Sequence, residues 1–373
     1  MVCMKKKIVL FATIFLLLPF AAIAQGALER GIGAEGKGLD DLAEGYYRQA
    51  GDSNHEAALR LGKLLERRER YLEAGAWLAK ADSGADAMAH IARCHTELGR
   101  WPEAKQAAEK AIELASDDDK TLRSSAMASL ALAYASEESY TNALAWAHKA
   151  VEEDPQSARA LNVTGIILFR RGDDNAAIQQ FRKALQKDPQ NTDAVFNLGT
   201  LYCYRGNHDL AISTLRKGLQ QNRRSTKLFY CLGWAFMLKG DQAKAIECLQ
   251  SVIELDSGYV NAYNRLGDIH FGRAEYNQAI EQYRHAIRIA PDLTEAYRLL
   301  GRTYAETGAF GKAITAYQKA VTINPKDAET YCRIAELYAR QKQPKREQSN
   351  YKRAARLGHK EAQQWCTRHG VTY

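Results

Sequence analysis

The sequence predicts an all-α solenoid, and three periodic features predict it. Gly165, Gly199, Gly233, Gly267 and Gly301 stand 34 residues apart, and Ala177, Ala211, Ala245, Ala279 and Ala313 keep the same step. Pro155, Pro189, Pro291 and Pro325 fall on that grid with two positions skipped. A fixed period of this length marks stacked copies of one supersecondary unit, each burying its apolar face only against its neighbours. The product is an elongated, curved surface, which suits a scaffold better than a catalyst.

Residues 158–191 show the unit most clearly. Leu161, Gly165 and Leu168 recur three or four apart and so share one face of a first helix. Gly172 follows and can take the left-handed conformation that ends a helix. Ala177, Phe181 and Ala184 form one face of a second helix. Pro189 then opens the crossing to the next unit, because proline is tolerated in a first helical turn but not in an interior. With little side chain at Gly165 and Ala177, the two helix backbones can approach closely.

This pattern resembles the tetratricopeptide repeat, a helix–turn–helix with small residues at its eighth, twentieth and twenty-seventh positions. Gly165/Ala177/Ala184, Gly199/Ala211/Gly218, Gly267/Ala279/Ala286 and Gly301/Ala313/Ala320 keep that spacing, and Tyr263, Tyr283, Tyr297, Tyr304 and Tyr317 supply the aromatic positions. Unit 226–259 departs mildly, with Val252 at a usually small position and Ser257 where proline is common. The resemblance implies a right-handed superhelical solenoid of helix–turn–helix units.

Taken from the N-terminus, residues 1–24 read as a signal peptide. Lys5, Lys6 and Lys7 precede an apolar run from Ile8 to Ala24 that ends in Ala22-Ile23-Ala24. Cleavage after Ala24 would give an exported, periplasmic chain without an integral span. Retention would leave an N-terminal membrane anchor at the short limit for a span. Residues 25–38 are expected to form a flexible Gly-rich spacer.

Degenerate repeats are expected over 39–123, carried by Leu61, Gly62, Ala74, Leu78 and Ala81 and then by Ala92, Ala104 and Ala111. Asp117, Asp118 and Asp119 are expected to cap the helix that follows. Six regular units fill 124–327. A degenerate last repeat, with Glu347 where alanine is expected, and a capping helix from about Lys360 bearing Trp365 complete 328–373. The ends also resemble the related Sel1-type repeat, through Ala43, Tyr47, Ala50, His55, Ala57, Leu61 and Gly62, and through Tyr351, Ala354, Ala355, Gly358, His359, Ala362 and Gln363.

Composition agrees with a helical array. Only 7 prolines occur in 373 residues, too few for a loop-rich fold. Three of the net +8 charges belong to Lys5–Lys7, and the modest remainder is no argument for nucleic acid. Of the cysteines beyond the apolar run, Cys203 and Cys332 are four units apart, and Cys231 and Cys248 point to different sides of one unit, so mostly free thiols are expected.

Gly31, Gly33 and Gly36 spell a dinucleotide fingerprint, but no strand precedes them, and Gly38 stands where a phosphate loop needs Ser or Thr. His90 and Cys94 lie four apart on one helix, and two ligands do not close a zinc site. No nucleophile and base are brought together by the repeat geometry. No catalytic residues, metal or cofactor are therefore expected.

In this family the inner wall is lined by the first helix of each unit, at positions two, five, nine and twelve, with thirteen nearby. Those positions place an apolar patch, Phe169, Phe196, Tyr204, Tyr230, Trp234, Met237 and Phe271, beside a polar rim of Asn264, Asp268, Arg298 and Arg302. Exposed apolar surface with aromatic and arginine residues is typical of interfaces. One disposition is a groove for a peptide or amphipathic helix, with the arginines on its carboxylate. The other is that curvature packs these side chains against neighbouring helices.

A carboxylate clamp is not reproduced around Asn197, where Val163, Cys231 and Arg265 hold the equivalent positions. Lys342, Lys345, Arg346, Lys352, Arg353, Arg356 and Lys360 concentrate charge near the C-terminus, as a solvated end or as a contact for an anionic surface or polymer. The expected function is a non-enzymatic envelope scaffold for a pilus, secretion or outer-membrane complex. The alternative is an accessory of polysaccharide export.

Overall fold

The computed structural model describes residues 24–51, 54–81 and 83–373, and every regular element among them is a helix. Of the signal peptide read over residues 1–24, residues 1–23 lie outside the described residues. The chain divides into two compact units, Met1–Leu201 and Tyr202–Tyr373.

The first unit begins with α1 at residues 24–35 and α2, Asp40–Ala50. Pairs follow: α3 (His55–Arg67) with α4 (Tyr71–Leu78), α5 (Ala85–Glu97) with α6 (Trp101–Leu114), α7 (Lys120–Ser136) with α8 (Tyr140–Glu153), and α9 (Ala158–Arg171) with α10 (Asp174–Lys187). The boundary between the units falls inside α11 (Thr192–Tyr204). The second unit continues with α12 (His208–Gln221), α13 (Thr226–Lys239) with α14 (Gln242–Leu255), and α15 (Val260–Gly272) with α16 (Tyr276–Ile289). It ends with α17 (Thr294–Glu306) and α18 (Phe310–Ile323), α19 (Ala328–Arg340) and α20 (Pro344–Arg356), and the single α21 (Lys360–Arg368).

The small residues act as seats. A side chain on Gly165 would strike the Phe181 ring at 2.6 Å, and one on Gly301 would strike Tyr317 at 2.8 Å. Gly267 lies under Tyr283 in the same way. A bulky residue in the second helix thus packs where the first helix lacks a side chain. Where alanine replaces that glycine, at Ala92 and Ala131, the opposed residues are the alanines Ala108 and Ala147, all fully buried. The added methyl on the first helix is met by a smaller residue on the second, so the two do not overlap. Between the two helices of the 158–191 unit, Gly172 takes φ +92°, a conformation that favours glycine.

Residues 25–38 are not a spacer. Ala27, Leu28 and Ala34 are buried in one cluster with Ala43, Tyr47 and Leu61. A side chain on Gly31 would meet the Tyr47 ring at 2.5 Å, and the Tyr47 hydroxyl donates to Glu35 at 2.5 Å. Gly31, Ala43 and Ala50 are the same small-residue triplet as Gly165, Ala177 and Ala184, so α1 and α2 form a further repeat ahead of the expected first one. The physical reason is burial: the apolar face of α3 needs a neighbour on its N-terminal side, and α1–α2 supplies it.

The helix after the acidic insertion starts early, at Lys120. Asp119 sits at its N-cap position without a side-chain bond to the backbone. Its carboxylate instead accepts from the Ser116 hydroxyl at 2.8 Å, while Asp117 pairs with Arg123 at 2.6 Å.

Candidate functional site

The two units treat their inner faces differently. In the first, α7 is buried all round by Ser124, Ala126, Ala128, Ser129, Ala131, Ala133 and Ala135, residues small enough for neighbouring first helices to close over it. Charged groups then bridge long sequence distances. The Arg93 guanidinium lies 2.8 Å from Glu66 and 3.7 Å from Asp193, and Arg170 stands 5.9 Å over the Trp101 ring. Arg159 donates to the Ser129 hydroxyl at 2.8 Å, and Asn197 to Asn162 at 3.0 Å. Phe169 and Phe196 belong to this unit and are both half-buried. Asn197, the one clamp-like position, is occupied by its asparagine neighbour.

Glu66 anchors this network at 4 % exposure. Burial raises its carboxyl pKa, but the His90 hydrogen bond and the charges of Arg93 and His90 outweigh that and hold it below its ordinary value. His90 is raised: burial works against it, and hydrogen bonds to Asp86 and Glu66 prevail. The same His90 bond, with Lys63, holds Asp86 down to about 2. His90 is therefore engaged by two carboxylates, and Cys94 four residues on is buried.

In the second unit the inner face carries large side chains. Tyr204 is 66 % exposed, and its ring meets Trp234 edge to face at 5.2 Å. Tyr230, Met237 and Phe271 are half-buried. Tyr230 lies 5.2 Å from Tyr259. Asn264 is 9 % exposed, and its carbonyl oxygen has no partner within the chain. Such a buried acceptor is costly unless a donor reaches it from outside.

The rim differs from expectation in one respect. Arg302 lies 4.1 Å over the Phe271 ring and 3.8 Å from Asp268, and Arg298 lies 3.3 Å from Glu295 and 3.8 Å from Asp327. Asp268 also accepts from the Tyr283 hydroxyl at 2.9 Å. The arginines already face carboxylates of the chain, because neighbouring repeats place acids at matching heights. A partner's carboxylate would have to displace them.

Beyond that rim a cavity of about 410 Å³ opens between α17 and α19, lined in part by Arg298, Arg302, Arg333, Glu336 and Arg340. Arg333 pairs with Glu329 at 2.7 Å and Glu336 at 3.1 Å. These α19 residues extend the site past the predicted rim. The positional rule that marks Arg298 and Arg302, applied to unit 328–361, points to Glu329, Glu336 and Arg340.

The basic C-terminal residues are partly spent in packing: Arg346 covers Tyr338 at 5.5 Å and Arg353 covers Tyr331 at 4.8 Å. Among the described residues, Cys332, His359 and Glu361 bring ligand atoms within 4.8 Å of one another. His359 is already used on both sides. One ring nitrogen bonds Glu329 at 2.7 Å, and the other accepts from the Ala362 N–H at 3.3 Å.

Comparison with known proteins follows the fold. Residues 157–365 match the family described as the cilia and flagella-associated protein 70 C-terminal domain, and residues 19–231 match that of the coatomer epsilon subunit. No curated protein matches the chain. Among solved structures, human IFIT1, in its dimer with PPP-AAAA, is 15 % identical over 91 % of this chain and 94 % of that one, with a TM-score of 0.55. PilF of Pseudomonas aeruginosa is 20 % identical over 60 % of this chain and 99 % of that one, at 0.50. MamA is 32 % identical over 44 % of this chain and 96 % of that one, at 0.40. IFIT1 and PilF share the helical-repeat fold.

Proposed function

Since the chain belongs to the tetratricopeptide-repeat family, we propose that it is a non-enzymatic scaffold of the cell envelope, holding an extended segment of a partner protein on the inner face of its second unit. The observation that carries this reading is the surface itself: Tyr204, Tyr230, Trp234, Met237 and Phe271 stay half-buried or exposed on a wall that the first unit closes with its own side chains. Aromatic anchors in such a position dominate binding energies at interfaces.

The unpartnered oxygen of Asn264 favours an extended segment over a helix. An extended backbone offers free N–H donors, whereas a helix has used its own. Export is supported by the pattern from Lys5 to Ala24 in the sequence. Among the described residues no helix is long and apolar enough to cross a membrane. Assembly of a pilus, secretion or outer-membrane complex is the role such an exported scaffold would serve.

A photo-reactive amino acid tests the surface. Placed at Tyr204, it should cross-link a discrete envelope protein, and W234A in the same chain should abolish the adduct. Placed at Leu210, which is exposed on α12, it should give none. Equal labelling from both positions would discard the inner face as the site.

A further inference from the structure

Three metal-ligating side chains converge at the C-terminal end of the second unit. Cys332 lies on α19, while His359 is the N-cap residue of α21 and Glu361 stands in its first turn. Their ligand atoms lie within 4.8 Å of one another. Cys332 is buried, His359 half-buried and Glu361 exposed, so the cluster has a thiol at its base and an open side. Sequence spacing does not announce it, because the whole of α20 separates Cys332 from His359 in the chain.

The histidine is already held as a ligand would be. Its Nε2–H donates to Glu329 at 2.7 Å, and this bond leads the effects that keep the Glu329 carboxyl below its ordinary value. Arg333 engages the other Glu329 oxygen at 2.7 Å. In metal sites a carboxylate on the second ring nitrogen fixes the tautomer and makes the ligating nitrogen more basic. Nδ1 is then the nitrogen left with a lone pair. It accepts from the Ala362 N–H at 3.3 Å, longer than a strong bond of this kind, so an ion can compete for it.

We propose that Cys332 Sγ, His359 Nδ1 and a Glu361 carboxylate oxygen bind one zinc ion, with water in the fourth position. A thiolate, an imidazole nitrogen and a carboxylate oxygen together suit the borderline softness of that ion. Bonds of about 2.0–2.3 Å hold tetrahedral donors about 3.3–3.8 Å apart, so the cluster closes by at most about 1.5 Å. Burial, then the charges of Glu336 and Glu329, push the Cys332 thiol up to about 12. The metal-free thiol therefore keeps its proton, and binding an ion releases it to solvent. The ion would join the first turn of α21, which buries only Ala362 and Cys366, to α19. Nothing in this depends on what the inner face binds.

The test uses the whole chain, reduced, stripped of metal and kept from oxygen, titrated first with cobalt(II) and then with zinc(II). One cobalt per chain should bind, with a near-ultraviolet thiolate-to-cobalt charge-transfer band, and one equivalent of zinc should remove that band. C332S, checked for helicity by circular dichroism, should lack the band, and C366S should keep it. E329Q should weaken binding about 10–100-fold, and E361Q should weaken it further. Because Glu361 is exposed, E361Q keeps the test free of any folding defect in C332S. Zinc should also slow hydrogen exchange in α21 of the wild type but not of E361Q. No band in the wild type, a band that survives C332S, or undiminished affinity in E361Q or E329Q would overturn the proposal. Cobalt bound with exchange in α21 unchanged would mean an adventitious ion only, and would overturn it too.

Discussion

Arg93 and Asp193 are a hundred positions apart and yet lie within 3.7 Å, whereas the described ion pairs of Arg298 and Arg302 in the second unit reach only the same or the preceding repeat. The repeats obey one plan, so the difference lies in what their first helices carry. Alanine and serine along α7 let helices close inward until charges from distant repeats meet. Tyrosine, tryptophan and arginine along α11 to α17 occupy that space themselves. Side-chain volume at a few inner positions thus decides whether a repeat array seals its concave wall or offers it.

The largest expected effect is on packing, which both units share. Y283A removes a fully buried ring and should cost about 3–5 kcal/mol, read from denaturant unfolding. Faster hydrogen exchange should be confined to α15–α17. G267A alone should cost about 1–3 kcal/mol by overpacking. In G267A/Y283L the loss should shrink relative to the sum of the single changes, because alanine then faces a smaller partner. Strict additivity would refute the seat arrangement.

The next effect separates the units. R93M leaves Glu66 buried beside an apolar side chain and should destabilise the first unit by about 3 kcal/mol, while exchange rates in α13–α20 stay unchanged. An unaltered first unit would mean that small residues alone close its inner face.

A smaller, pH-dependent effect should follow His90. Its folded pKa lies above the ordinary histidine value of 6.5, so its stabilisation is complete below 6.5 and fades as pH rises through the folded value. Asp86 works in the opposite direction. Its folded value of about 2 lies below 3.8, and its contribution is lost as pH falls through about 2. The first unit should therefore weaken on mild alkalinisation, with the change abolished in H90Q. An identical pH response in H90Q would assign the titration to another group.

The smallest stability change is expected at the open face. W234A should shift unfolding by about 1 kcal/mol or less while removing the cross-link from position 204. A large loss of stability would show that the tryptophan serves packing rather than recognition.

Much of this was legible in the residues, and the exceptions have physical causes. Glycine and alanine spacing marks the regular helix pairs because every turn of the stack meets the same steric demand. The first repeat escapes that grid because the N-terminal units are shorter: Gly31, Gly62 and Ala92 are the equivalent positions, and the steps between them fall below 34. Read as a triplet with Ala43 and Ala50, Gly31 announces a helix pair rather than a nucleotide loop. The inner-face residues of the second unit follow from repeat position, whereas the ion pairs that occupy Arg298 and Arg302 depend on how neighbouring helices are offset.

From the chain alone came the all-helical repeat, its helix pairs and the residues that point inward, because these depend on local periodicity and on contacts between adjacent units. Tertiary structure alone decided that the first inner wall is closed and that Asn264 keeps an unanswered acceptor. Each of these depends on curvature accumulated over several repeats or on the offset between neighbouring helices. Small changes in angle are added from one unit to the next, and no single window of sequence contains their sum.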